Sequence, residues 1–329
     1  MTPTFASFAQ NNEDVVLWRA LGGVRAGRYI DIGANHPTEF SISWPFYQLG
    51  WRGITVEPVA AFAAMHRQVR PEDLMVEAAI SATPNRSVIL HEIPDTGLST
   101  LVDHIRDVHE QAGWKANEVP VEARSLNDVL TDAGWDGADI HFMTVDTEGA
   151  ELDVLRSIDL RSWRPWVLVI ESTAPLTTTA THDRWEDLVL GAGYQFCMFD
   201  GLSRFYVTRE HAELAPQLRY PACPLDDFTT LRQRQSDAEI ARLRASLQDL
   251  TDDVVRWRAA ALGRWTETLA GSVQPDVPAP AAPEIEELAR LRRELTAIRG
   301  TVSWKVTRPL RAVRQRLPSE RSREEPGDQ

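Results

Sequence analysis

The chain has 329 residues, a formal net charge of −13, 43% hydrophobic and 25% charged residues, the balance of a core-forming protein of one or two domains. No apolar run approaches the roughly 18 residues of a membrane span, and Cys197 and Cys223, the two cysteines, make neither a disulfide framework nor a four-ligand zinc site. The acidity argues against nucleic-acid binding, which needs a basic face, and residues 1–10 lack the parts of a secretory signal, so a cytoplasmic location is expected.

Residues 1–225 alternate strand-like and helix-like stretches. Strands are expected at Arg28–Ile32 (RYIDI), 53–57 (GITVE), 74–80 (LMVEAAI), 141–146 (HFMTVD) and 166–171 (WVLVIE). Helical patterns lie between them, as at 59–68 and 125–133, where Leu126, Val129 and Leu130 recur at helical spacing. That alternation implies crossover units and a parallel sheet. Tyr194–Phe199 and 204–207 flank Asp200-Gly201, a hairpin turn signal. The expected fold is α/β, a mostly parallel sheet closed by an antiparallel hairpin.

The rest of the chain changes character. Residues 1–225 hold 17 basic and 31 acidic residues, and 226–329 hold 18 and 17, so the negative charge belongs to the first part. In 226–270, Ile240, Leu243, Leu247, Leu250, Val254 and Trp257 recur in alternating steps of three and four, a heptad seam. Residues 271–283 form a Pro/Ala-rich linker. In 284–317 a second seam (Ile285, Leu288, Leu291, Leu295, Ile298, Val302) runs into a basic amphipathic stretch, 301–317, with five Lys/Arg and no acid. Such a stretch suits an anionic membrane surface or a protein contact. The seams read as a coiled coil joining copies of the chain or as helices packed on the body. Residues 318–329 are polar and read as a disordered tail.

In open parallel sheets, ligands bind outside the carboxyl ends of the strands. After the first strand stand Asp31, Gly33, Ala34, Asn35 and His36. Gly33 admits close backbone approach, and Glu57, 24 residues on at the end of the second strand, is placed to accept both hydroxyls of a ribose. The second and third glycines of a dinucleotide fingerprint are absent, which favours a donor without a pyrophosphate, S-adenosylmethionine. The fourth strand ends in Asp146, Glu148, Gly149 and Glu151. Helix capping by Asp146 or Glu148 explains one or two of these acids, hardly all three with the glycine. With Glu171 at the end of the next strand, the cluster suits deprotonation of an alcohol or a divalent cation such as Mg held by Asp146 and Glu171.

These stretches together resemble the FkbM family of S-adenosylmethionine-dependent O-methyltransferases: 29–37 (YIDIGANHP), 53–58 (GITVEP), 126–130 (LNDVL), 142–155 (FMTVDTEGAELDVL), 167–171 (VLVIE) and 193–207 (GYQFCMFDGLSRFYV). The resemblance implies a Rossmann-like methyltransferase fold with a seven-stranded sheet. It implies Asp31, Gly33, Ala34 and Asn35 at the methionine end of the cofactor, Glu57 on its ribose, Ala79 and Ile80 at the adenine, and Asp146 and Glu148 bordering methyl transfer. Residues 8–17 (FAQNNEDVVL) are similar to a leader in which acids and amides approach the cofactor, which brings Glu13 to it. Thr144 and Ser157 depart from the family pattern, and Thr144 removes a lysine often found there.

Asp146 and Glu148 are the leading bases. His36 is either a rival base or a cap, His104 and His109 are further candidates for the substrate side, and Trp44, Phe46, Tyr47 and Trp51 either stack on a sugar or pack the core. Family substrates are hydroxyls of sugars or polyketides. Residues 303–310 (SWKVTRPL) look like a terminal segment of enzymes that build bacterial surface glycans, so a sugar or glycolipid acceptor is expected. Contact with the inner membrane face or with a glycosyltransferase is expected through that tail. The rivals are a polyketide or small-molecule O-methyltransferase and a coiled-coil scaffold with a vestigial body.

Overall fold

The computed structural model describes residues 5–84, 86–94, 96–270 and 282–300, the side chains of 267–270, 282–285 and 298–300 excepted. Most of the Pro/Ala-rich stretch, the basic amphipathic stretch and the polar end lie outside the described residues. The chain divides into two compact units, Met1–Leu231 and Arg232–Gln329.

In chain order the first unit holds β1 (Phe5–Ser7), α1 (Glu13–Leu21), β2 (Arg28–Ile32), α2 (Trp44–Gln48), β3 (Arg52–Val56), α3 (Ala60–Val69), β4 (Leu74–Val76), β5 (Ala79–Ile80) and β6 (Arg86–Glu92). There follow α4 (Asp103–Gln111), β7 (Asn117–Arg124), α5 (Leu126–Asp132), β8 (Phe142–Val145), α6 (Glu151–Arg156), β9 (Val167–Glu171), α7 (Glu186–Gly191), β10 (Tyr194–Phe199), β11 (Ser203–Thr208) and β12 (Phe228–Thr230). The main sheet has seven strands in the order β10-β11-β9-β8-β2-β3-β4. From β9 to β4 all pairs are parallel, and β11 and β10 close the edge antiparallel. This is the mostly parallel sheet with a closing hairpin expected from the strand and helix pattern, and the seven-stranded Rossmann-like sheet that the family resemblance implies.

Both faces of the sheet are covered, so its strands read as continuous apolar runs. Ile30, Ile32, Met143 and Val145 pack with Leu126, Val129 and Leu130 of α5 on one face. Tyr29, Phe142, Val167 and Val169 pack with α1, Phe46 and Trp51 on the other. Trp51 and Phe46 are thereby core, not a sugar platform. Ser125 caps α5, its hydroxyl accepting from Asp128 N–H.

The expected strand 74–80 is two strands. β4 ends where β3 does, at the Val56–Val76 pair, because β3 runs into Glu57-Pro58 and Pro58 has no N–H to extend a ladder. The chain then turns, and β5 pairs with β7 in a separate three-stranded sheet, β5-β7-β6. Pro120 sits inside β7 opposite Ile89, and β5 reaches only Ala123 and Arg124, so the missing N–H of Pro120 falls on the open side of the strand.

The N-terminal segment is built in. β1 pairs in parallel with β12, and buried Asp14 accepts hydrogen bonds from Ser7 Oγ (2.7 Å), Phe8 N–H (2.7 Å), Ala9 N–H (3.1 Å) and Val15 N–H (2.9 Å). Four donors on one carboxyl fix the segment that leads to α1.

The second unit contains α8 (Leu231–Ala270) and α9 (Ala282–Gly300). Ile240 and Leu243 on α8 and Leu291 and Leu295 on α9, members of the two seams, are buried. Glu294 acts electrostatically on Arg242, so α9 runs beside that part of α8. No helix among the described residues is long and apolar enough to cross a membrane.

Candidate active site

A cleft opens at the carboxyl edge of β2, β3 and β8, where open parallel sheets bind small molecules. Gly33, Asn35, Glu57, Ala79, Ile80, Asp146 and Glu148 all line it. The structure thus brings together most of the residues expected at a cofactor.

Each is held there for a local reason. Gly33 has φ +78°, and a Cβ on it would lie 1.7 Å from the backbone oxygen of Asp146. Only glycine lets the turns after β2 and β8 meet so closely. Glu57 Oε2 accepts from Asn35 N–H (2.9 Å) and Oε1 from Val59 N–H (2.8 Å), which aims the carboxyl while leaving lone pairs for a ligand. Burial raises its pKa to about 7 against those hydrogen bonds. Asn35 has φ +44°, and its carbonyl oxygen lies 2.9 Å from Nε2 of buried His66. Burial lowers the His66 pKa to about 4, so the ring is neutral and donates through Nε2.

The other wall was not foreseen. Leu90, Thr96, Gly97, Ser99 and Leu101, together with Val59 and Phe62, complete the lining. The 93–101 loop is tied off by the Thr100–His91 backbone pair. Thr100 Oγ1 also donates to Glu148 O (2.8 Å), and a Cβ on Gly97 would lie 2.7 Å from Asn35 Nδ2. The Gly-Leu-Ser-Thr run at 97–100 was the available signal, but its β6 partner lacked a clean alternation.

Asp146 stands at the end of β8. It is open to the cleft, yet the surrounding protein desolvates its carboxyl and raises its pKa to about 6, with a hydrogen bond from Glu171 acting the other way. Glu171 is buried. Desolvation and the charges of Asp146, Glu148 and Glu151 push its pKa well up, so the proton of this pair resides on Glu171 and Asp146 carries the charge. Glu148 sits at φ +48°. Burial and the charge of Asp146 raise its pKa to about 9, and its Oε2 is buried without a partner.

Glu151 has a different role. Its Oε1 accepts from Gly149 N–H (2.9 Å), Thr147 N–H (3.3 Å) and Thr147 Oγ1 (3.1 Å). Glu151 thus ties the 147–149 turn ahead of α6, and no side chain caps that helix, neither Asp146 nor Glu148.

Several expected residues are placed elsewhere. Asp31 does not line the cleft; it accepts from Thr144 Oγ1 (2.7 Å) and Ser43 Oγ. Thr144, where the family often has lysine, thus holds Asp31. Ala34 is buried with its N–H on Val56 O (3.1 Å). His36 turns inward as a cap, its Nδ1 accepting from Thr38 N–H (3.2 Å) and Glu39 N–H (3.0 Å). Glu13 is fully buried away from the cleft, with Oε2 on Asn11 N–H (2.9 Å). Burial and Asp200 raise its pKa to about 8. His109 is buried and His104 exposed on α4, and neither lines the cleft. Cys197 is half-buried, and burial pushes its thiol to about 11, well above the range of a reactive cysteine.

A cation at Asp146 and Glu171 gains no support. Among the described residues no group of three or more His, Cys, Asp or Glu side chains is arranged to hold a metal.

The cleft fits a nucleoside-bearing methyl donor. Glu57 presents acceptors, Ala79 and Ile80 an apolar wall, and the unpartnered Asn35 Oδ1 and Glu148 Oε2 face a group that the protein itself does not supply. Fold and site together define a methyltransferase of the Rossmann-like class. The family model described as Methyltransferase FkbM domain matches residues 31–196, just over half of the 329 residues, and the chain belongs to this family of S-adenosylmethionine-dependent methyltransferases.

Three solved structures are similar in part. A TehB-like SAM-dependent methyltransferase from Corynebacterium glutamicum is 10% identical, with a TM-score of 0.34 over 60% of this chain and 87% of that one. A protein of the NADB-Rossmann superfamily from Streptococcus agalactiae is 12% identical, with a TM-score of 0.31 over 86% and 94%. NSun6 from Pyrococcus horikoshii with SFG is 14% identical, with a TM-score of 0.25 over 60% and 51%. No curated protein matches the chain significantly.

Proposed function

We propose that the protein methylates a sugar hydroxyl of a bacterial surface glycan or glycolipid, with Asp146 as the base. The observation that carries the chemistry is geometric: Asp146 is open to the cleft at the end of β8, while Glu171 beside it is buried, which favours the charge on Asp146. S-adenosylmethionine, when bound, supplies an electrophilic methyl on sulfur. Gly33 and Asn35 would border its methionine end, Glu57 would accept its ribose hydroxyls, and Ala79 and Ile80 would flank its adenine.

The chain's own contribution is position and one proton acceptor. An alcohol is a poor nucleophile at neutral pH, and Asp146 would take the hydroxyl proton as the oxygen bonds the methyl and the sulfur–methyl bond breaks, leaving S-adenosylhomocysteine. Glu171 keeps its own proton and hydrogen-bonds Asp146, holding the carboxylate in one orientation. Glu148, protonated, adds no second charge at neutral pH and offers a hydrogen bond. Alignment of the hydroxyl against the methyl supplies much of the remaining acceleration.

The sugar reading rests on the family resemblance and on that of residues 303–310, which lie outside the described residues. The same resemblance supports a role for the tail at the inner membrane face or on a glycosyltransferase. The seams of α8 and α9 support assembly of copies of the chain, which sedimentation of the full chain against one ending at residue 231 checks.

The test is transfer of labelled methyl from S-adenosylmethionine to methyl hexopyranosides and bacterial glycolipid extracts, with and without EDTA. Labelled sugar, retained in EDTA, is expected. Label only on polyketide or phenolic acceptors would replace the sugar reading, and loss of activity in EDTA would restore the cation.

A further inference from the structure

α3 buries an unusual face. A helix packed on a sheet normally turns an apolar stripe to the core. The buried residues of α3 are Ala63 and His66, and the residue that ends it, Arg70, is buried as well. Neither His66 nor Arg70 lines the donor cleft. Both side chains instead reach the loop that follows β2. His66 Nε2 lies 2.9 Å from Asn35 O. Arg70 donates from Nε to Pro37 O (2.8 Å), from Nη2 to Ser41 Oγ (2.6 Å) and from Nη1 to Ser43 Oγ (2.7 Å).

The His66 bond closes a circuit around the Glu57 carboxyl. Glu57 Oε1 accepts from Val59 N–H (2.8 Å), at the start of α3, and Oε2 from Asn35 N–H (2.9 Å). Asn35 O in turn accepts from His66, further along the same helix. Asn35 is therefore held on both sides of its Cα, in the left-handed region at φ +44°. That conformation is unfavourable for a residue with a side chain. Without the His66 bond Asn35 is free to leave it, and its N–H then leaves Glu57 Oε2. Asn35 and Glu57 both line the cleft, so a residue outside the cleft governs two inside it.

The histidine is kept at a cost. Its Nδ1 is buried without a partner, and burial and the charge of Arg70 keep the ring neutral, so Nε2 carries the one ring proton. A buried nitrogen without a partner lowers stability and calls for a reason. An apolar side chain would avoid that loss. What it could not supply is a hydrogen for Asn35 O.

We infer that His66 is a positioning residue of the donor site: through Asn35 it holds the Glu57 carboxyl toward the ribose of S-adenosylmethionine without touching the donor itself. That role rests on the reading that Glu57 takes the ribose hydroxyls.

The test is calorimetry of the full chain with S-adenosylhomocysteine at pH 7, on the wild type, H66F, H66Q, E57Q and the double variant H66F/E57Q. H66F fills the space without a donor and should weaken binding about tenfold. H66Q carries an amide N–H for Asn35 O and should recover affinity to within about threefold of wild type. An amide at 57 cannot accept from both Val59 and Asn35, so E57Q already breaks the circuit. In that background H66F should add no more than about twofold. Wild-type affinity in E57Q would sink the ribose reading, and the role of His66 with it. Weak binding by E57Q with wild-type affinity in H66F would overturn the role of His66 alone. So would H66Q as weak as H66F, or losses from H66F and E57Q that multiply in full. Should H66F not fold, the two-bond ¹H–¹⁵N spectrum of the wild-type imidazoles decides, with His66 assigned by its loss in H66Q. The neutral ring protonated on Nε2, with signals that move when S-adenosylhomocysteine binds, is expected. A ring protonated on Nδ1, or signals unmoved by the ligand, would overturn the inference.

Discussion

The two ends of the cleft use one architectural device, a residue just past a parallel strand, to opposite physical ends. At the donor end, Gly33, Asn35 and Glu57 are fixed by backbone geometry and by N–H groups that aim the Glu57 carboxyl. At the other end, Asp146, Glu148 and Glu171 lie together: the charge of Asp146 raises the pKa of both glutamates, and Glu171 hydrogen-bonds Asp146. The first is a matter of shape, in which each residue has its own task. The second is a coupled electrostatic unit, where the task of a carboxyl depends on its neighbours. This is why the base is proposed at Asp146 although Glu148 beside it has the same chemistry.

The comparison breaks most sharply at Asp146. Asp146→Asn is expected to lower kcat by about 10²–10⁴ while S-adenosylhomocysteine still binds in calorimetry; comparable turnover would move the base elsewhere. In the wild type, kcat should climb as pH rises through about 6, because the base works only when ionised. At the donor end, Gly33→Ala forces a Cβ to 1.7 Å from Asp146 O and should abolish S-adenosylhomocysteine binding by parting the two turns. Glu57→Gln keeps the shape and removes the charge, so calorimetry should show binding weakened about 10–100-fold, the loss of hydrogen bonds to a charged acceptor.

Smaller effects sharpen the electrostatic half. Glu148 is protonated up to about pH 9, so Glu148→Gln should change kcat at pH 7 by no more than about threefold. It should also abolish any change in rate near pH 9; a large loss at pH 7 would show Glu148 working as an anion. Glu13 lies outside the cleft and titrates for structural reasons. Its folded pKa, about 8, is above the ordinary 4.5, so its contribution to stability is complete below pH 4.5 and is lost as pH rises through 8. Between pH 5 and 9 the wild-type Tm should therefore fall about 5 °C more than that of Glu13→Gln in calorimetric scans.

How much was legible follows the same division. The strands RYIDI and VLVIE were readable because burial on both faces writes an apolar run, the edge strand YQFCMF because Asp200-Gly201 marks the turn after it, and Glu57 because one crossover fixes its spacing from Gly33. The accessory sheet was not readable: β6 and β7 mix charge, apolar groups and Pro120, and the ladder between them is decided by pairing partners far apart in sequence. Asp31 looked like a cofactor ligand from its place after β2. Its side chain faces the sheet side where Thr144 and Ser43 satisfy it, and only the register of β2 against β8 shows that. His36 likewise found its partners two and three residues on, in a loop shape that no spacing rule anticipates.

By itself, then, the sequence determined the parallel sheet with its closing hairpin, the methyl-donor class of the cleft and the separation of an acidic body from a helical remainder. Periodicity, local turn chemistry and composition are properties of short stretches and survive without tertiary context. The tertiary structure decided which carboxyls are desolvated and that Glu151 ties the turn ahead of α6. Those depend on desolvation and on neighbours brought from β8, β9 and the 93–101 loop, and a proton's place among coupled acids is fixed only once all of them are packed together.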